Sequence, residues 1–125
     1  MTLVPPSQIR NVTGITPDET QAIHHFLQGA MYCWCKNRLN EWFSLRDLMG
    51  GENFEWEGTP MFALYNKHAG TAADPVAQAG IDGGWLFKRV VDDDRRQFET
   101  REANQIREYR WIMPPAADGT PTAVA

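Results

Sequence analysis

Apolar residues recur at spacings of three and four after position 16, which is the pattern of an amphipathic helix with one buried face. Thr16 can accept hydrogen bonds from the first free backbone N–H groups, and Pro17 fits the first helical position. The acidic residues that follow favour the positive end of the helix dipole. The sequence therefore predicts a helix from this cap to about Arg38, and its apolar stripe consists of Ile23, Phe26, Leu27, Ala30, Met31 and Trp34.

Shorter elements are predicted between this helix and position 70. Residues 41–44 include adjacent Trp and Phe and are typical of a short strand. Ser44 can cap a helical turn, which Gly50 stops. Thr59, followed by a proline, begins another helix that ends at Gly70.

A third cap followed by proline, at Asp74, begins a longer helix. Glycines at 80, 83 and 84 weaken it by roughly 1 kcal/mol each relative to alanine, so a break into two helices near Gly83 is an alternative. Three consecutive aspartates, residues 92–94, are unfavourable at the negative end of a helix, which predicts an end near Val91. We interpret them as a solvated turn that the following arginines neutralise. The predicted apolar side consists of Val76, Ala79, Gly80, Gly83, Leu86, Phe87 and Val90.

The segment 97–112 fits two interpretations. Phe98, Glu102, Ile106, Tyr109 and Met113 stand at helical spacing. The same segment also divides into two strands joined by a turn around positions 103–104. Its aromatic and β-branched residues favour the hairpin.

This order predicts an α+β fold with three or four helices and a small antiparallel sheet. It resembles the winged-helix arrangement, a resemblance of element order and not of any motif. The resemblance implies that residues 75–91 take the place of the recognition helix and that residues 99–107 form the wing. We expect one globular domain over residues 16–113, after a flexible lead-in at 1–15 and before a disordered tail at 114–125.

Composition restricts the partners and the cellular location that we expect. The 125 residues carry a net charge of −4, which argues against a general polyanion-binding surface. No apolar stretch approaches the length of a membrane span, and the first ten residues do not have the pattern of a secretory signal. Cys33 and Cys35 point in different directions on one helix, so reduced thiols and a cytoplasmic location are expected.

Candidate chemistry is sparse. The residues that could ligate a soft metal lack the paired spacing of a zinc site, so we predict no metal and no cofactor. Glu52, Glu55 and Glu57 form an acidic cluster that would support a small enzyme if burial shifted one pKa. We favour a solvated loop whose aromatic residues pack into the core, and therefore a protein that is not an enzyme. The residues of soft metal-ligand type are His24, His25, Cys33, Cys35 and His68.

Two classes of binding function remain. In the first, the module binds DNA through phosphate contacts, with a wing arginine entering a groove. In the second, it binds a protein partner or a second copy of itself through exposed tryptophans, for which Trp42, Trp56 and Trp85 are the candidates. The net negative charge favours binding to a protein, and the arginine-rich hairpin favours binding to DNA. The predicted contact residues are Lys88, Arg89, Arg95, Arg96, Arg101 and Arg107.

Overall fold

A computed structural model describes residues 10–51, 55–94, 96–103 and 106–112. In these ranges the chain forms four helices and a three-stranded antiparallel sheet, which confirms the predicted α+β fold. The elements are α1 (Pro17–Lys36), β1 (Phe43–Ser44), α2 (Leu45–Leu48), α3 (Phe62–His68), α4 (Pro75–Asp93), β2 (Phe98–Ala103) and β3 (Ile106–Trp111). The expectations for 1–9, for 113–125 and for the centre of the hairpin turn lie outside the described residues.

Local hydrogen bonds explain where three of the helices begin. The Thr16 hydroxyl accepts from the backbone N–H of Glu19, whose carboxylate accepts from the backbone N–H of Thr16 in return. Ser44 and Asp47 form the same reciprocal pair at α2. The carboxylate of Asp74 accepts from the backbone of α4. Each cap satisfies N–H groups that have no partner inside the helix, so the predicted starts are confirmed.

The helix α4 is continuous and ends at Asp93, two residues beyond the predicted end. A Cβ added at Gly83 would lie 3.1 Å from Leu45 Cδ2 and 3.2 Å from Met61 Cε. Because neighbouring elements pack directly on this glycine, tertiary contacts outweigh its weak helix propensity. At the other end, the backbone N–H of Asp94 donates to the carbonyls of Val90 and Val91 and closes the helix.

Strands β2 and β3 form the predicted hairpin and exclude the helical alternative for this segment. Phe98 lies opposite Trp111, and Thr100 lies opposite Tyr109. Strand β1 pairs with the other edge of β3, so β3 is the central strand.

One hydrophobic core joins the helices to the sheet. α1 contributes Ile23, Leu27 and Met31, all fully buried, whereas Phe26 is partly buried at the edge. From the sheet side, Phe43 and Tyr109 each lie edge-on or tilted against neighbouring rings. The core also holds Val12 and Ile15 at its margin, so the described end of the lead-in packs against it. Within the described ranges, no helix is both long and apolar enough to cross a bilayer.

Candidate binding groove

An open groove of about 530 Å³ lies between α2, α4 and β3. Its volume is within the range typical of ligand sites. Arg46 and Met49 line it from α2, and Ile106 and Arg107 line it from β3. The side that α4 contributes is formed by Val76, Ala77, Gly80, Ile81, Gly84, Trp85 and Lys88.

The face of α4 toward this groove is apolar and exposed. Val76 is 43% exposed and Ile81 is 53% exposed, and both are among the few large apolar side chains that face solvent in the described chain. The prediction that Val76 and Gly80 belong to the buried side of this helix was wrong. Val76 lies in the first turn, where α4 borders the groove, and the core packs against residues further along, such as Ala79 and Phe87.

Two glycines leave open space along the same face. Gly80 and Gly84 stand one turn apart, and a Cβ added at either position would meet no described atom within 4 Å. Neither has the left-handed backbone that requires glycine, because both lie within a regular helix. The described part of the chain therefore gives no packing reason for these glycines, in contrast to Gly83.

Alanine substitutions test this contrast. Gly84→Ala should raise the free energy of unfolding by about 0.5–1 kcal/mol, because alanine is the better helix former and meets no neighbour. Gly83→Ala should gain less, since its Cβ would press on Leu45 and Met61. Chemical denaturation of both variants measures the difference. An equal rise in stability would contradict the proposed packing at Gly83.

The groove is positively charged although the whole chain is acidic. Among its described lining residues, Arg46, Lys88 and Arg107 are cationic and none is a carboxylate. Burial lowers the pKa of Lys88 below its usual value, and the charge of Arg107 lowers it further, whereas Glu102 raises it. The two cations are thus close enough to affect each other, and Glu102 offsets them without lining the groove.

The predicted tryptophan anchors differ in position. Trp85 lines the groove and is half-buried, with the Nζ atom of Lys88 4.7 Å from its ring centroid. Trp42 is half-buried beneath Arg101, whose guanidinium carbon lies 4.0 Å from the ring centroid. Trp56 is only 7% exposed, so its prediction as an exposed anchor was wrong. It packs into the core, and that position agrees with the interpretation of its loop as a source of core aromatics.

The predicted contact residues have different partners within the fold. Arg101 pairs with Glu108 across the hairpin, at 2.7 Å, because these residues are direct cross-strand neighbours. Arg89 donates to the side chain of Asn11. Arg107 and Lys88 line the groove, as described above. Arg95 lies outside the described residues.

Arg96 forms the tightest of these pairs. Its guanidinium donates to both carboxylate oxygens of Asp94, at 2.8 and 2.6 Å. Asp94 is 3% exposed, so the interpretation of 92–94 as a fully solvated turn was wrong at this position. Burial would raise the pKa of Asp94, but the hydrogen bonds and charge of Arg96 outweigh it and hold that pKa below its usual value.

An enzymatic or metal-binding function would depend on the acidic cluster and on the residues of metal-ligand type. Glu55 and Glu57 are exposed, and Glu52 lies outside the described residues. No cluster of three potential metal ligands occurs among the residues that the structure describes. Cys33 is exposed and Cys35 is buried, both as free thiols, and burial raises the pKa of Cys35 to about 12.

Sequence reasoning missed most of the groove. Arg46, Met49 and Ile81 were not candidates, and Ile106 was considered only as part of the hairpin. One signal was present for Ile81, because it falls outside the apolar stripe of α4 and yet is a large apolar residue.

Comparisons with protein-family models, with curated proteins and with solved structures found no match to this chain.

Proposed function

We propose that the chain is a non-enzymatic, winged-helix-like binding module and that it binds a protein partner in the groove beside α4. The element order supports the winged-helix comparison. α4 directly precedes the hairpin, as a recognition helix precedes a wing, and β1 pairs with β3. Free thiols at Cys33 and Cys35 are typical of the cytoplasm, where we propose that the module acts.

The exposed apolar face of α4 is the observation that carries the proposal. A helix that reads DNA presents polar side chains whose donors and acceptors match the base edges of the major groove. In the recognition-helix position this chain instead presents Val76, Ile81 and two glycines. Apolar surface next to a half-buried tryptophan is what protein interfaces use as an anchor.

DNA binding is the alternative function. It is less favoured than protein binding, because several of the predicted contact arginines already have partners within the fold. Arg96 and Arg101 each form an ion pair within the fold, and Arg89 donates to Asn11. A phosphate contact by any of them would replace an existing intramolecular partner, so the gain in free energy would be correspondingly smaller. The net charge of −4 adds a general repulsion.

Replacing Ile81 with glutamate tests the proposal. Peptides are first selected from a random displayed library for binding to the wild-type protein. Their affinity for the Ile81→Glu variant should be at least about tenfold lower than for the wild type, because the carboxylate would be desolvated against an apolar contact. Leu39→Glu is the matched control, since Leu39 is 39% exposed and does not line the groove. Circular dichroism verifies that both variants remain folded.

Two results would contradict the proposal. The first is that selected peptides bind the wild type and Ile81→Glu equally. The second is that the wild type binds a labelled mixed-sequence duplex at about 50 mM salt, with a salt slope that falls by about 0.9 for each of Arg101→Ala and Arg107→Ala. The second result would instead support the DNA alternative.

A further inference from the structure

The charges around the groove restrict which protein segment fits it. Arg46 lies on the α2 wall, Arg107 lies on the β3 wall, and Lys88 lies on α4. Positive charge therefore borders the apolar surface from each of the three elements, and no described lining residue offers a carboxylate to balance it. A bound segment that carried positive charge would be repelled, and one that carried carboxylates would complement Arg46 and Arg107.

The surroundings make this positive field local. Arg10 lies with its guanidinium carbon 5.0 Å from the ring centroid of Trp85, a residue of the groove, although Arg10 itself does not line the groove. Glu102 is the acidic residue that acts on Lys88, and it does so from outside the lining. In a chain with net charge −4, this concentration of cations gives the groove a sign opposite to that of the whole protein.

The shape of α4 favours a helix as the bound segment. The groove follows α4 from Val76 to Lys88. Twelve helical steps of about 1.5 Å separate these residues, so the groove is about 18 Å long, or roughly three helical turns. Gly80 and Gly84 lie along this path with open space above them. Helices pack closely where the facing residues are small, so the glycines allow a partner's backbone to approach α4. Apolar residues at i, i+3 or i+4, and i+7 of that partner would then contact Ile81 and Trp85.

We infer that the groove binds an amphipathic helix of a protein partner, with aspartate or glutamate residues flanking the apolar face of that helix. This inference rests on the proposed function, because it identifies the chemistry of the partner at the same site. The apolar face contacts α4, and the flanking carboxylates lie toward Arg46 on one wall and Arg107 on the other.

The experiment uses peptides selected from the display library and two charge variants. The enriched sequences should combine helical apolar spacing with aspartate or glutamate. One such peptide is then synthesised in its selected form and with each acidic residue replaced by its amide, which preserves the size of the side chain and removes its charge. The acidic form should bind the protein roughly three- to tenfold more tightly at about 50 mM salt, and raising the salt should reduce the difference.

Arg46→Glu should remove the preference for the acidic peptide. Arg46 is an exposed residue of the groove wall, whereas Arg38 is an equally exposed arginine that does not line the groove. Arg38→Glu is therefore the matched control, and it should retain the preference, which shows that position and not net charge is responsible.

The outcomes separate this inference from the proposed function. Peptides that require Ile81 but bind equally in their acidic and amide forms would overturn the inference and leave the proposed function intact. Peptides that bind independently of Ile81 would overturn both. Self-association of the wild type that Ile81→Glu abolishes and Leu39→Glu does not would identify a second copy as the occupant, and would also overturn the inference.

Discussion

Replacing Phe87 with alanine is expected to lower the free energy of unfolding by about 3–5 kcal/mol. Phe87 is 1% exposed and lies edge-on to Tyr109, with ring centroids 5.3 Å apart. It also contacts Phe43, so a single ring connects α4 to both β1 and β3. Its removal leaves a cavity where three elements meet, and a collapse that filled this cavity would have to move the sheet.

Urea denaturation measures this loss as a lower midpoint with an unchanged slope. Phe26→Ala is the matched control, because Phe26 is a helical phenylalanine that is only partly buried. It should cost distinctly less than Phe87→Ala. Equal losses for the two variants would contradict the position of Phe87 at the junction of helix and sheet.

Replacing Asp94 with asparagine is expected to destabilise the fold by roughly 2–4 kcal/mol at neutral pH, because the change leaves the partly buried guanidinium of Arg96 without its charged partner. The Asp94 carboxylate is almost fully buried and accepts from both the side chain and the backbone of Arg96. Glu99→Gln is the control. It alters an ion pair of similar type with Arg110 in which both side chains are about one third exposed, and should cost little.

The same pair predicts a pH dependence with a definite sign. The folded protein holds the pKa of Asp94 below the usual value of 3.8. Its contribution is therefore complete above about pH 4 and is lost as the pH falls through the lower, folded-state pKa. The stability difference between wild type and Asp94→Asn should shrink under acid conditions. A difference that stayed constant from neutral pH down to acid unfolding would refute this role.

Three helix starts could be predicted from sequence because their causes are local, whereas α3 begins at Phe62, after the predicted start at Thr59, and has no side-chain cap. Thr16, Ser44 and Asp74 each accept from a backbone group three residues away, and that spacing is visible in the sequence itself. The hairpin also followed from local composition. These signals require no knowledge of what lies across the molecule.

Packing between distant elements could not be predicted in this way. Gly83 suggested a weak point in a helix, whereas Leu45 and Met61 pack on it and the helix continues. The sequence predicts that the following arginines neutralise the three aspartates, and Arg96 does pair with Asp94, but the burial of Asp94 was not predicted. Both the packing on Gly83 and the burial of Asp94 depend on residues that are distant in the sequence.

The candidate site was harder to predict for the same reason. The sequence alone does not show which predicted contact residue has an acidic neighbour across the hairpin, as Arg101 has in Glu108. The groove combines α2, α4 and β3, which are far apart in the sequence, and Arg46 joins Arg107 only through the fold. The predicted contact residues therefore include two cations of the groove, Lys88 and Arg107, but omit Arg46.

The two residues of β1 determine how the groove can respond to a partner. Phe43 and Ser44 pair with Tyr109 and Glu108 of β3, and Ser44 also caps α2. Both walls of the groove are thus attached to the same short strand, and moving one apart from the other would break either the sheet pairing or the cap. Such preorganisation reduces the conformational entropy lost on association. The ordering cost then falls mainly on the incoming segment, so constraining that segment in its bound shape should improve affinity more than any rigidifying change in this protein.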